Sequence, residues 1–179
     1  MVNIRKRCRV PSVFVTVTLL SFLLILTGNS HQMAATPAVA ALASPPGQSE
    51  AASSLPAEVQ ITTDELAKLL QAPGGAKPLL IDVGFHILYA QARIPGSEYI
   101  GPASRPEAVE KLRNRVEKLP RKKFIVLYCG CCPWTHCPTL KPAYEALHGK
   151  GFTNVKVLYI PNNFGQDWVD RGFPVERGE

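Results

Sequence analysis

The segment KFIVLYCGCCPWTHCP, residues 123–138, joins a short apolar run to a loop rich in cysteine. Residues 123–128 have the largely apolar character of a strand that is buried on both faces of a parallel sheet. Four of the five cysteines of the chain follow within nine residues: Cys129, Cys131, Cys132 and Cys137. Reactive groups in parallel sheets lie at the carboxyl ends of strands, so this loop is the predicted functional site.

Similar apolar runs lie on either side of this segment. Residues 78–83 and 154–160 are predicted to be two more buried strands. Helices are predicted at 62–70, 104–119 and 140–148, the first of them opening with a capping box of Thr62 and Glu65. From 78 onward strands and helices alternate. This order predicts an α/β domain of three layers, with a central, mostly parallel sheet flanked by helices.

The amino-terminal part of the chain has a different character. Four cations precede an uncharged apolar run of fifteen residues at 12–26, which is the build of a secretory signal and is shorter than a membrane-spanning helix. The small residues at 38–40 are a candidate cleavage site. Residues 1–40 are therefore predicted to be a signal peptide or an uncleaved anchor, and 41–58 an Ala/Pro/Ser-rich linker. The domain is predicted to occupy 59–179, exported to the periplasm or anchored in the inner membrane facing it.

The charge distribution argues against a nucleic-acid partner. Residues 1–40 contribute +4 of the formal net charge of +6, so the remaining 139 residues carry only +2. A nearly neutral domain has no basic surface for a phosphate backbone. We expect contact with a membrane only through an uncleaved amino-terminal segment.

The position of Cys129 favours nucleophilic chemistry. It directly follows the apolar run at 123–128 and precedes a predicted helix. Backbone N–H groups of such a turn and the positive end of the helix dipole stabilise a thiolate. Gly130 leaves out a side chain where the backbone is expected to turn and approach a substrate.

The chain resembles the rhodanese-like sulfurtransferases in the order of its short motifs. These are Asp82-Val83, Ile94-Pro95-Gly96, Val126-Leu127-Tyr128-Cys129, Gly151-Phe152-Thr153-Asn154-Val155, and Trp168 with Gly172-Phe173-Pro174-Val175. Together they cover nearly all of residues 61–176. The resemblance implies a single rhodanese-like domain in which Cys129 carries sulfane sulfur as a persulfide and no cofactor is used.

The resemblance also implies a substrate-binding loop. Its candidate residues are Gly130, Cys131, Pro133, Trp134, Thr135, His136 and Lys141. Many rhodaneses close this loop with an arginine, but this chain has none between Arg121 and Arg171. Gly84 stands where the family has another arginine, so Asp82 needs a different partner, for which Arg93 is a candidate.

Two other functions use the same cysteines. Cys129 and Cys132 form a C-x-x-C pair, which indicates a thiol–disulfide redox protein on the same scaffold. The loop could instead bind Cu(I) or zinc without catalysis, through ligands drawn from Cys129, Cys131, Cys132, His136 and Cys137.

Within the sulfurtransferase hypothesis, Cys132 is predicted to be a second catalytic residue. As a resolving thiol it would release sulfide from the persulfide and leave an internal disulfide. Pairing of the adjacent Cys131 and Cys132 would strain the intervening peptide. The expected partners are a small sulfur-containing substrate or a thiol acceptor protein.

Overall fold

The computed structural model of the chain describes residues 52–75 and 77–178. The strands are β1 (Gln60–Thr62), β2 (Leu79–Asp82), β3 (Glu98–Tyr99), β4 (Ile125–Tyr128) and β5 (Val155–Tyr159). The α-helices are α1 (Thr63–Gln71), α2 (His86–Gln91), α3 (Pro106–Val116) and α4 (Leu140–Gly149). Short 3-10 turns lie at Ala52–Ser54, Ala57–Val59 and Trp134–His136, and a π-helical turn at Gly165–Val169.

The strands in the described residues form one parallel sheet in the order β1-β5-β4-β2-β3. In its register Asp82 of β2 lies opposite Tyr128 of β4, so the two strands end at the same level. The residues that follow them, Val83 and Cys129, are therefore neighbours at the carboxyl edge of the sheet. The predicted α/β class with a parallel sheet flanked by helices is confirmed.

Alternation along the strands produces the three layers. Ile81, Leu127 and Val157 belong to one apolar cluster, which also contains buried residues of α3 and α4. Their chain neighbours Leu80, Val126 and Leu158 belong to a second cluster on the opposite face, with residues of α1 and Trp168. Strands β2, β4 and β5 are thus covered on both faces, as their continuous apolar sequences predict.

The starts of two helices differ in how well the sequence predicts them. At α1 the predicted capping box is present: the Glu65 N–H donates to Thr62 Oγ1 at 3.2 Å, and the Thr62 N–H donates to Glu65 Oε2 at 2.8 Å. Helix α3 begins at Pro106, later than the predicted start at 104. Proline suits the first helical position because its missing N–H would have no partner there.

The packed region begins earlier than the predicted boundary at 59. Ala52 and Leu55 are buried in the first apolar cluster, and the Ala52 N–H donates to the Cys137 carbonyl at 3.0 Å. Part of the segment predicted to be a linker, from residue 52 onward, therefore packs against the domain. The predicted signal or anchor at 1–40, with Cys8, and the rest of the linker lie outside the described residues. No helix in 52–75 or 77–178 has the length and apolarity to cross a membrane.

Candidate active site

Cys129 lies at the carboxyl edge of the sheet, directly after β4. Only 2% of the residue is exposed, because it packs within the first apolar cluster. The strand register places it beside the residues that follow β2. The expectation that the cysteine loop starts at the carboxyl end of a central strand is confirmed.

Three thiols converge at this point. The Sγ atoms of Cys129 and Cys131 are 3.0 Å apart, and those of Cys131 and Cys132 are 3.2 Å apart. All three sulfurs lie within 4.8 Å of one another. The four cysteines in the described residues are all free thiols. Cys131 and Cys132 are half-buried, so the group reaches from the core to the surface of the loop.

The contacts among these thiols favour negative charge on Cys132. Hydrogen bonding with Cys129 lowers the pKa of Cys132, against the opposing effect of burial. Hydrogen bonds with Cys129 and Cys137, together with burial, raise the pKa of Cys131. Hydrogen bonding with Cys129 also raises the pKa of Cys137, whose Sγ lies 3.4 Å from Thr139 Oγ1. Cys132 therefore has a greater tendency to ionise than Cys131 or Cys137.

A buried carboxyl group lies next to the thiols. Asp82 is 5% exposed, and its Oδ1 accepts the Gly84 N–H at 2.6 Å. A Cβ atom added to Gly84 would lie 3.1 Å from Asp82 Oδ1 and 3.3 Å from Cys129 Sγ, so both groups touch the same short stretch of backbone. Burial raises the pKa of Asp82 to about 7, although hydrogen bonds from Gly84 and Tyr128 oppose this effect.

Arg93 is not the partner of Asp82. Its guanidinium pairs with Glu176 at 3.4 Å and lies over the Tyr89 ring at 4.9 Å. The proposed replacement of the missing family arginine by Arg93 was therefore wrong. Asp82 Oδ1 accepts the Gly84 N–H at 2.6 Å instead.

Phe164 explains why a glycine follows Cys129. A Cβ atom at Gly130 would lie 2.4 Å from the Cβ of Phe164, and the Phe164 N–H donates to the Gly130 carbonyl at 3.3 Å. The space beside Gly130 is thus occupied by protein rather than open to a substrate. A groove of about 430 Å³ runs past the other side of this contact, and its lining includes Gly130, Cys131, Leu88 and Asn163.

The remaining predicted loop residues do not gather around the thiols. Trp134 is buried and meets the Tyr159 ring edge-on at 5.2 Å, which is a packing contact. Pro133, Thr135 and His136 are exposed. Lys141 lies on α4 with its Nζ 3.8 Å from Glu145.

Several loop N–H groups already have partners. The N–H groups of Trp134, His136 and Cys137 donate to the carbonyls of Pro161, Pro133 and Trp134. These three are therefore occupied in closing the loop. They are therefore not free to act as the persulfide donors that the sequence predicts from Gly130 onward.

The structure brings together three of the five candidate metal ligands. Cys129, Cys131 and Cys132 form the one group of three that the described residues offer to an ion. His136 is outside it, exposed, with its Nδ1 bonded to Thr135 Oγ1 at 2.9 Å. Three ligands is within the range of three or four that the sequence leads us to expect from these five candidates.

Sequence reasoning assigned no role in the site to Gly84 or Phe164. The position of Gly84 could have been inferred, because it follows β2 as Gly130 follows β4, and parallel strands end at one edge. Phe164 could not have been found this way, since it reaches Gly130 from the irregular segment after β5.

The sequence profile of the rhodanese-like domain matches residues 62–159, which is more than half of the chain. The chain belongs to the rhodanese-like domain family. The described fold has the parallel sheet and flanking helices expected from the resemblance, with Cys129 after the central strand.

Solved structures of the same class are distantly similar. A rhodanese-like domain from an Anabaena species is 19% identical, with a TM-score of 0.47, and the match covers 66% of this chain and 79% of that one. A rhodanese-like domain protein from Staphylococcus aureus is 21% identical, with a TM-score of 0.43 and coverage of 67% and 98%. A thiosulfate sulfurtransferase from Pseudomonas aeruginosa is 20% identical, with a TM-score of 0.48 and coverage of 67% and 20%. No curated protein matches the sequence.

Proposed function

We propose that this protein is a sulfurtransferase that carries sulfane sulfur as a persulfide on Cys129. The observation that carries the proposal is the placement of this thiol at the carboxyl end of the central strand, in a chain of the rhodanese-like family. Burial of Cys129 protects a bound sulfur from bulk thiols. The half-buried Cys131 gives the site an opening to the groove.

The reaction has two displacement steps. In the first, the Cys129 thiolate attacks the sulfane sulfur of a donor, a new S–S bond forms, and the bond to the rest of the donor breaks. The leaving group is sulfite from thiosulfate, a thiolate from an organic persulfide, and hydrosulfide or a shorter polysulfide from a hydropolysulfide. In the second, an acceptor thiolate attacks the outer sulfur, and Cys129 leaves as the thiolate. Neither step needs an external oxidant or reductant.

The absent loop arginine favours donors of low charge. The sulfonate of thiosulfate needs a cation, and the chain has no arginine from 122 to 170. Lys141 is on α4 with Glu145, and His136 is exposed beside Thr135. We therefore expect a hydropolysulfide to load Cys129 faster than thiosulfate at equal concentration.

Cys132 is the proposed resolving thiol. Its sulfur lies within 4.8 Å of Cys129 Sγ, and its pKa is lowered by hydrogen bonding with that residue. Attack by the Cys132 thiolate on the Cys129 sulfur of the persulfide would form a disulfide and expel sulfide. The close approach of these thiols also favours a second function, thiol–disulfide exchange, in which the same disulfide accepts electrons from a partner dithiol.

Mass spectrometry after loading tests the carrier role. Reduced protein is treated with hydropolysulfide or thiosulfate, alkylated, and mapped for one added sulfur, with release by cyanide as a second readout. We expect the added sulfur to map to Cys129 and to be absent from the Cys129→Ser variant. The matched control is Cys137→Ser, which replaces a thiol outside the group of three and should still load. Persulfide formation in a folded Cys129→Ser variant would refute the assignment.

The decay of the loaded protein tests the resolving role. Cys132→Ser should prolong the lifetime of the persulfide, whereas the persulfide of Cys131→Ser should decay at the same rate as that of the parent. Sulfide release is followed in each variant. If only Cys131→Ser is slowed, the resolving thiol is Cys131, which lies 3.0 Å from Cys129.

We also propose that the protein acts after export, on a small sulfur-containing molecule or on a thiol acceptor protein. The apolar run at 12–26 behind four cations supports export. Cell fractionation and determination of the amino terminus of the mature protein test it. A new terminus shortly after residue 40 is expected if the segment is cleaved, and recovery of the unprocessed protein from the cytosol would contradict export.

A further inference from the structure

We infer that Cys129, Cys131 and Cys132 form a three-thiolate site for one Cu(I) ion. Binding of Cu(I) is a different reaction from sulfur transfer, because it needs neither a sulfane sulfur donor nor an acceptor thiol. The site shares the Cys129 sulfur with the proposed function, so an ion and a persulfide exclude each other there. Copper would thus act as a reversible inhibitor of sulfur loading.

The positions of the sulfurs are close to those of a trigonal complex. Bonds of about 2.3 Å from a metal to three thiolates in a plane place the sulfurs about 4 Å apart. In the thiol form two of the distances are 3.0 and 3.2 Å, and all are below 4.8 Å. Binding therefore needs outward shifts of about 1 Å or less. Cys129 is held at the end of β4, whereas Cys131 and Cys132 are half-buried loop residues that are free to make these shifts.

The ligand set distinguishes Cu(I) from zinc. Structural zinc is almost always bound by four tetrahedral ligands. Here three thiols have sulfurs that all lie within 4.8 Å of one another, and Cys137, which contacts Cys129 and Cys131, is not one of them. His136 is exposed and bonded to Thr135 Oγ1, and the Cys137 thiol lies against Thr139 Oγ1. The group of three thiols includes neither the nearby Asp82 carboxyl group nor an imidazole, and a set of soft thiolates alone favours Cu(I).

The surroundings suit a soft ion of low charge. Cys129 lies within the first apolar cluster, and Cys131 and Cys132 pack against it. An apolar shell limits access of water to a site. The groove that Cys131 lines gives a donor ligand access to one edge of the sulfurs.

Binding releases protons and changes no oxidation state. One Cu(I) ion displaces the protons of the thiols that are not yet ionised, and three Cu–S bonds form. The copper must therefore be supplied as Cu(I), and its apparent affinity should rise with pH. Because the thiols release protons, more protons should appear in solution from the parent than from a variant with one cysteine removed.

Anaerobic titration of the reduced full-length protein with Cu(I), against a coloured Cu(I) chelator, tests the inference. We expect one ion per chain and a thiolate-to-copper absorption band in the ultraviolet. Cys131→Ser and Cys132→Ser should each weaken binding at least about tenfold. Cys137→Ser and His136→Ala are the controls and should bind copper like the parent.

Each outcome bears on the inference. Failure to take up one ion, or equal binding by Cys131→Ser, Cys132→Ser and the parent, would overturn it. A comparable loss in Cys137→Ser or His136→Ala would also overturn it, because the site would then have four ligands. Copper uptake is read by absorbance and sulfur loading of copper-free protein by mass, so failure of one function leaves the result for the other intact.

Discussion

Gly130 is the residue of the loop that can least accept a side chain. An added Cβ would overlap the Cβ of Phe164 at 2.4 Å, which is closer than unbonded carbons can lie. Gly130→Ala should therefore lower the free energy of unfolding by about 1–3 kcal/mol, the usual cost of overpacking. Denaturant unfolding measures the change, and sulfur loading of the folded fraction reports whether Cys129 has moved.

A double-mutant cycle identifies the source of the strain. Phe164→Gly removes the clashing Cβ, so Gly130→Ala should cost little in that background. Phe164→Ala removes the ring but keeps the Cβ, and the cost should persist there. An equal cost in both backgrounds would show that the restriction at Gly130 comes from its own backbone rather than from Phe164.

Asp82 should make the stability of the protein depend on pH. Burial raises its pKa from the ordinary value of 3.8 to about 7 in the folded chain. Between these values the folded state holds a proton that the unfolded state has lost. Its contribution to stability is therefore fully present below pH 3.8 and is lost as the pH rises toward and through 7, by up to about 1.4 kcal/mol per pH unit.

Comparison with Asp82→Asn isolates this contribution. The amide keeps an oxygen that can accept the Gly84 N–H but does not titrate in this range. Urea unfolding of both proteins from pH 4 to 7 should show the parent losing stability relative to the variant. Parallel curves would mean that the carboxyl group has its ordinary pKa in the folded state.

At the scale of elements, the long periodic segments were predictable and the short ones were not. β2, β4, β5, α1 and α4 follow from apolar runs, helical spacing and the capping box. Strand β3 has two residues and β1 three, too few for any periodicity to appear. They exist because neighbouring strands offer hydrogen-bonding partners, which is a tertiary effect.

Helix α2 shows another limit of pattern reasoning. It has six residues, and the apolar side chains of Phe85, Ile87 and Leu88 around its start are partly exposed, with Ile87 at 68%. An apolar pattern normally predicts burial, but the apolar side chains here are not on a buried face. This helix therefore has no amphipathic pattern that the sequence could reveal. It lies in the connection between β2 and β3.

The loop between β4 and α4 has one feature that the sequence predicts and one that it does not. Its start at the carboxyl edge follows from the parallel order of the strands, so Cys129 could be placed from sequence. The C-x-x-C spacing also predicts that Cys132 can reach Cys129. The distances among the three sulfurs could not be derived from the sequence, because they depend on the bend after Gly130 and on the contact of Gly130 with Phe164. The carboxyl group of Asp82 joins the site through the register of β2 and β4.

At the scale of the whole molecule, Trp168 ties the carboxyl-terminal segment to the sheet. Its side chain is completely buried in the second apolar cluster, and its Nε1–H donates to the Pro174 carbonyl at 2.9 Å. Beyond it, Arg93 and Glu176 exchange backbone hydrogen bonds of 2.9 Å. The segment after β5 is thus part of the cooperative core, and it carries Phe164 against Gly130.

Trp168→Ala should therefore destabilise the entire domain by about 3–5 kcal/mol, the usual cost of removing a fully buried large aromatic side chain. Trp168→Phe keeps much of the apolar contact but loses the bond to Pro174, so its cost should be smaller. Gln166→Ala, at an exposed position of the same turn, should change stability by no more than about 0.5 kcal/mol. Melting temperatures and denaturant midpoints measure all three. An unchanged melting temperature in Trp168→Ala would show that this segment unfolds independently of the sheet. The contact between Phe164 and Gly130 would then not depend on the packing of Trp168.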